Sequence, residues 1–249
     1  LSGYGGYDPG NVGSGVVAVY SAGYAFAALK TDGSVIAWGP TDYGGTAPSS
    51  VTAANSGVVA VYSAGYAFAA LKTDGSVVAW GESTFGGSAP TSVTAANSGI
   101  VAVYSTQRAF AALKNDGSVV AWGLSGYGGY DPGNVGSGVV AIYSTDYAFA
   151  ALKTDGSVVA WGSYIDSWSS VSSSLTSGVV SVYSTQRAFA ALKTDGSVIT
   201  WGFSLQGGNS SSVSSSLTSG VVAVYSTITG FAALKTDGSV VAWGEFITY

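Results

Sequence analysis

Six times along its 249 residues the chain repeats one block, first written as Ala25-Phe26-Ala27-Ala28-Leu29-Lys30-Thr31-Asp32-Gly33-Ser34-Val35-Ile36-Ala37-Trp38-Gly39. Two short apolar runs flank an Asp-Gly pair, and that pair tolerates the positive φ angles of a tight turn between antiparallel strands. The block therefore predicts a β-hairpin. With Asp32 and Gly33 as a two-residue loop, Leu29 is expected opposite Ile36 and Ala27 opposite Trp38, which gives the indole a small neighbour. Phe26, Ala28 and Ala37 then fall on the other face. Both faces are apolar, so both need cover, as in blades stacked side by side.

Aligning Trp38, Trp80, Trp122, Trp161, Trp201 and Trp243 divides the chain into units 1-39, 40-81, 82-123, 124-162, 163-202 and 203-244, with a tail 245-249. A period of roughly 40 residues with strand content signals a propeller or solenoid. Each unit reads as a Gly/Ser/Pro-rich segment, then a strand such as Val58 to Tyr62, then the hairpin. The expectation is an all-β fold, a β-propeller of about six blades with three to four antiparallel strands each, in a single repeat domain spanning 1-249. Residues 1-18 are identical to 124-141, and units 2 and 3, like units 5 and 6, share long stretches. Such copies favour avidity or repetitive packing over one unique pocket.

Hydrophobic residues make up 47% of the chain, yet the apolar runs are about five residues long, far short of the roughly 20 needed for a membrane helix. No membrane insertion is expected. Only 8% of residues are charged and the net charge is −5, too few cations to track phosphates, so nucleic acid is not an expected partner. Cys, His and Met are absent. That removes thiolate and imidazole metal sites and the common nucleophile-base pairs, and it leaves the redox compartment open. Leu1 matches Leu124, which follows a Trp-Gly pair, so the chain reads as trimmed or excised, and is expected to be either a six-bladed ring or a section of a longer array.

Asp8, Asp42, Glu82, Asp131, Asp146, Asp166 and Glu245 are scattered, with no pairing that implies a shared catalytic cleft. The expectation is a non-enzyme without cofactor. The repeated turn acids, Asp32 through Asp237, are accounted for by turn chemistry, and one carboxylate per blade lacks the roughly six to eight oxygens that Ca²⁺ takes. No metal is expected. Asn209-Ser210-Ser211 forms an N-glycosylation sequon in a polar loop.

Variation between units falls in two zones. Between the first and second strands stand Gly23-Tyr24, Gly65-Tyr66, Gln107-Arg108, Asp146-Tyr147, Gln186-Arg187 and Ile228-Thr229. These connections share one end of a propeller, and Tyr and Arg are the types that most often carry binding energy. Tyr24, Tyr66, Gln107, Arg108, Asp146, Tyr147, Gln186 and Arg187 are therefore candidate contacts for a protein or glycan partner; the alternative is unconstrained solvent-exposed turns. After each Trp-Gly comes the second zone, with Tyr43, Phe85, Tyr127, Tyr164, Trp168 and Phe203. Blade packing is the expected use of these aromatics, except that Trp168, outside the repeat position, is a candidate exposed contact.

The run Ala70-Leu71-Lys72-Thr73-Asp74-Gly75-Ser76-Val77-Val78-Ala79-Trp80-Gly81, followed by Phe85-Gly86-Gly87, Pro90 and the strand Ile100 to Tyr104, resembles the repeat of the regulator of chromosome condensation family. It is similar also to the short-repeat bacterial branch that includes the propeller-type β-lactamase inhibitory protein. The resemblance covers all six units and implies a β-propeller, and for the second branch compact blades of about three strands. It says less about function, because propellers host many activities. The family's well-known members have about seven blades, one more than the units seen here. Their frequent His before the second strand is replaced by Tyr24, Tyr66, Arg108, Tyr147, Arg187 and Thr229, which removes the grounds for carrying over nucleotide exchange. Three functional expectations follow: a recognition module using the Tyr/Arg turns, a structural segment of a larger extracellular or filament-forming protein that self-associates or meets neighbouring repeats, and, from the second resemblance, an inhibitor of a secreted enzyme. An extracellular or cell-surface location is expected.

Overall fold

The computed structural model describes residues 10, 12–130, 133 and 135–245. Asp8, Asp131 and tail residues 246–249 lie outside the described residues. Two compact units, Leu1–Asp131 and Pro132–Tyr249, each hold three blades. In the first unit the strands are β1 (Val16–Ala22), β2 (Ala25–Lys30) and β3 (Val35–Trp38), then β4 (Val58–Ala64), β5 (Ala67–Lys72) and β6 (Val77–Gly81), then β7 (Ile100–Ser105), β8 (Ala109–Lys114) and β9 (Val119–Gly123). The second unit repeats the pattern with β10 (Val139–Ser144), β11 (Ala148–Lys153), β12 (Val158–Gly162), β13 (Val179–Ser184), β14 (Ala188–Lys193), β15 (Val198–Gly202), β16 (Val221–Ser226), β17 (Gly230–Lys235) and β18 (Val240–Gly244). Every blade is a three-stranded antiparallel meander in chain order. No helix among the described residues is long and apolar enough to cross a membrane.

Three strands, rather than four, is the count. Where a fourth would run, the linkers form short helical turns, Ser49–Thr52 and Thr91–Thr94 in the first unit, Ser172–Leu175 and Ser211–Leu217 in the second. Each drives one apolar side chain into the core: Val51, Val93, Leu175 and Leu217. A helical turn satisfies its own backbone, so the outer edge of the blade is covered without presenting a free strand edge.

The hairpin differs from the expected register by one residue. Leu29 pairs with Val35, Ala28 with Ile36, Ala27 with Ala37 and Phe26 with Trp38. The cause is Ser34, whose amide and hydroxyl both donate to Asp32 Oδ1, at 3.0 and 2.6 Å. With Asp32 tied down in this way only Gly33 takes a positive φ, +75°. Gly33 N donates to the Lys30 carbonyl at 3.0 Å and Lys30 N to the Ser34 carbonyl at 2.9 Å, a three-residue loop with a glycine bulge rather than a two-residue turn. A one-residue slip exchanges faces, so the indole lies beside Phe26, not over Ala27. The two rings stack with centroids 5.3 Å apart at 21°, and the equivalent Phe/Trp pair recurs in every blade.

These pairs hold neighbouring blades together. In the first unit the face bearing Val61, Phe68 and Trp80 closes over Ala27, Leu29 and Val35, and the face bearing Val103, Phe110 and Trp122 closes over Ala69, Leu71 and Val77. In the second, Val182, Phe189 and Trp201 close over Ala150, Leu152 and Val158, and Val224, Phe231 and Trp243 over Ala190, Leu192 and Val198. Polar bonds add to this at the hairpin turn, where the Gly33 carbonyl accepts from Val58 N at 3.2 Å and Ser56 Oγ at 2.7 Å.

Candidate partner-binding face

Each second strand leads away from the first variable zone, and the third strand leads back to the same end. Turn and post-Trp-Gly loop therefore meet, and backbone bonds join them: Glu82 N donates to the Tyr66 carbonyl at 2.9 Å, Leu124 N to Arg108 at 2.9 Å, Ser163 N to Tyr147 at 3.0 Å and Phe203 N to Arg187 at 2.8 Å. The Thr106 hydroxyl, buried at the start of its turn, donates to the Tyr127 carbonyl at 3.0 Å, and Thr185 does the same to Gln206 at 2.9 Å. The glycine of Trp-Gly is required for this approach, since a Cβ on Gly123 would sit 2.7 Å from the Arg108 carbonyl.

The result in the first unit is a continuous row drawn alternately from the two zones. Tyr24 stacks on Tyr66 at 5.5 Å and 14°, and Tyr43 meets both rings edgewise or tilted, at 5.2 and 4.7 Å. Tyr66 meets Phe85 at 4.9 Å. The Arg108 guanidinium then lies between two rings, 4.7 Å from Phe85 and 4.9 Å from Tyr127. Gln107 stands exposed beside it. Gly23, Gly65, Tyr66, Phe85, Gln107 and Arg108 line a hollow of about 310 Å³ on this row.

The second unit builds a shorter version. Tyr147 meets Tyr164 edgewise at 4.8 Å, and Arg187 lies 5.0, 5.2 and 5.9 Å from Tyr147, Tyr164 and Phe203. One guanidinium nitrogen of Arg187 donates to the Tyr147 hydroxyl at 3.4 Å, while its Nε is buried with no hydrogen-bond partner. Backbone bonds fix the turns to one another, Asp146 N to the Gln186 carbonyl at 2.9 Å and Gln186 N to Ile228 at 3.0 Å. Cation–π contact holds each Arg without neutralising it.

Eight of the nine candidates are thus gathered on these two rows. Trp168 is not. It is half-buried against the core of its unit, its ring 5.6 Å from Trp201, rather than the fully exposed contact expected of it. Tyr43, Phe85, Tyr127, Tyr164 and Phe203, expected to be blade packing, belong to the rows as well, and Phe85 also packs against the core between its neighbouring blades. Their signal was present in the sequence: antiparallel strands return the chain to the end it left.

No family model matches the sequence, and no curated protein sequence matches it. Solved structures do. Prp20p from Saccharomyces cerevisiae superposes with TM-score 0.53 and 18% identity, covering 92% of this chain and 72% of that one. Human WBSCR16 gives 0.53 and 17%, covering 91% and 76%. The ectodomain of the Physcomitrella patens receptor kinase CR4 gives 0.52 and 16%, covering 92% of this chain, which spans 65% of the ectodomain. At these identities the likeness is one of fold, and the fold is the all-β propeller of the yeast regulator of chromosome condensation, also described as RCC1. The resemblance to the inhibitor branch rests on the sequence repeat alone.

Proposed function

We propose that the chain is a non-enzymatic protein-binding module that meets its partner through the rows of Tyr, Phe and Arg. The observation that carries this is the seating of Arg108 between Phe85 and Tyr127. The cation is held in place by rings and so loses little side-chain freedom on binding, and Arg and Tyr at interfaces carry a disproportionate share of affinity. The fold supports the coarse class: Prp20p is described for its binding to Gsp1p and histones and has been solved with Kap60. A glycan stacked on the same rings is the second partner class, and an extracellular or cell-surface setting belongs to the proposal.

A photo-crosslinking residue placed at exposed Gln107 tests it, with the same residue at Asp116 as control. Asp116 lies in the hairpin turn at the far end of β8. The expected result is a discrete crosslinked protein from position 107 and none from 116. Equal capture from both, or from 116 alone, would refute the row as the contact.

A further inference from the structure

Eight side chains carry positive charge, and they divide by kind between the two ends of the blades. The six Lys, Lys30 through Lys235, each end the second strand of a blade, beside the hairpin turn. There Lys153, Lys193 and Lys235 donate to the Val135, Ser174 and Ser216 carbonyls, at 3.0, 2.7 and 2.7 Å. Both Arg stand at the opposite end, in the rows of rings. The guanidinium of Arg108 touches the Phe85 and Tyr127 rings, and among the described residues none of its N–H groups has an oxygen acceptor. Arg187 has one long bond, 3.4 Å to the Tyr147 hydroxyl, and an Nε with no partner. A ring face steadies a cation but gives its forked donors no oxygen, and that planar fork matches a carboxylate.

Arg108 also borders open space. The hollow of about 310 Å³ is lined by Arg108 and Gln107, by the Tyr66 and Phe85 rings, and by Gly23 and Gly65. A Cβ on Gly65 would sit 2.5 Å from the Gln107 carbonyl and 3.2 Å from the Phe85 ring, so that wall is bare backbone by necessity. Glu82, on the same loop as Phe85, has a carboxylate oxygen tied to Thr84 N and Oγ1 at 3.1 and 3.0 Å, and it makes no bond to Arg108.

We propose that this hollow takes an Asp or Glu side chain from an acidic peptide segment of the partner, its carboxylate paired with Arg108 and its methylene stem against Tyr66 and Phe85. The proposal rests on the reading of the rows as the partner-binding face and adds the chemistry of the partner. Three properties together specify the occupant: donors that lack an acceptor, apolar rings beside them, and room for one side chain. A partner cation would meet like charge there, and an apolar side chain would cover the Arg108 donors without pairing them.

Selection of random peptides displayed on phage against the full chain tests it, with the affinity of each recovered peptide then measured by fluorescence anisotropy. Recovered peptides are expected to share an Asp or Glu at one position. Arg108→Gln should weaken them about 10- to 100-fold, the effect of losing a charged hydrogen bond, whereas Lys114→Gln at the hairpin end should leave them unchanged. Arg108→Glu should bind a peptide carrying Lys at the shared position better than it binds the acidic original, which also shows that the variant is folded. Peptides that are lost on Tyr66→Ala but carry no shared acid, or that ignore Arg108→Gln, would overturn the acidic occupant and leave the row as the contact. Peptides indifferent to both Tyr66→Ala and Arg108→Gln, or no peptide recovered at all, would overturn the row with it.

Discussion

The indole nitrogen of Trp80 donates to the Gly44 carbonyl at 3.0 Å, and Trp122 and Trp243 repeat the bond to Gly86 and Gly207. Trp201 is as deeply buried, yet its Nε1 has no partner. The linker after each Trp-Gly is therefore anchored to the indole in some blades and only packed against it in another.

Truncating the anchor removes burial and bond together. Burying roughly 200 Å² of ring at about 25 cal/mol per Å² is worth on the order of 5 kcal/mol as an upper bound. Trp122→Ala is expected to cost about 3 to 5 kcal/mol in urea denaturation; a loss under about 1 kcal/mol would contradict a buried, bonded indole. Trp122→Phe leaves the Gly86 carbonyl unsatisfied and should cost about 1 to 3 kcal/mol more than Trp201→Phe, which orphans nothing.

Turn glycines should divide by their neighbours. Gly196→Ala combines a left-handed φ of +75° with a Cβ 2.6 Å from Gly220 N, while Gly238→Ala, at φ +82°, meets open space. The second should cost about 1 to 2 kcal/mol from backbone strain alone, and the first about 1 to 3 kcal/mol beyond that from overpacking. Equal losses in paired denaturation curves would show that the turn does not press on the next blade.

The course of these turns marks the limit of what the sequence conveys. Repeat length, strand count and the Trp-Gly boundaries are legible because they depend on local pattern. Register is not, since Asp32-Gly33 fits either loop length and only the Ser34 hydroxyl closing on Asp32 decides between them. Tyr24 and Tyr43 read as separate zones until β2 and β3 are traced out and back. Trp168 looks exposed because it breaks the repeat, but a large apolar ring outside the pattern can still find a core, here beside Trp201.

Acid should weaken the fold through the six turn carboxylates. Asp32, Asp74, Asp116, Asp155, Asp195 and Asp237 are each held below the ordinary carboxylate range, first by the neighbouring Ser hydroxyl and then by its amide. A folded pKa below the unfolded one, about 3.9, contributes stability that is present above the unfolded value and lost as pH falls through the folded value. Stability measured by denaturant titration should therefore decline from about pH 5 downward. Replacing Asp74 and Asp155 with Asn, which keeps an acceptor oxygen but does not titrate, should flatten that decline. An unchanged slope would mean the turns do not set it.

Ring stacking in the row should register as coupling. Tyr24 and Tyr66 lie nearly parallel at 5.5 Å, so a double-mutant cycle to Ala is expected to give about 0.5 to 1.5 kcal/mol of interaction energy. Additive losses would show that the rings are merely near each other.

The central proposal is that two stretches on either side of one hairpin, 106–108 and 124–128, form one contact surface. Hydrogen exchange of the full chain, with and without the protein captured at position 107, tests it most directly. Slowed exchange should appear together at amides 106–108 and 124–128, with the turn at 115–118 unchanged. Protection confined to the 115–118 turn, or present in one stretch and absent from the other, would contradict the account.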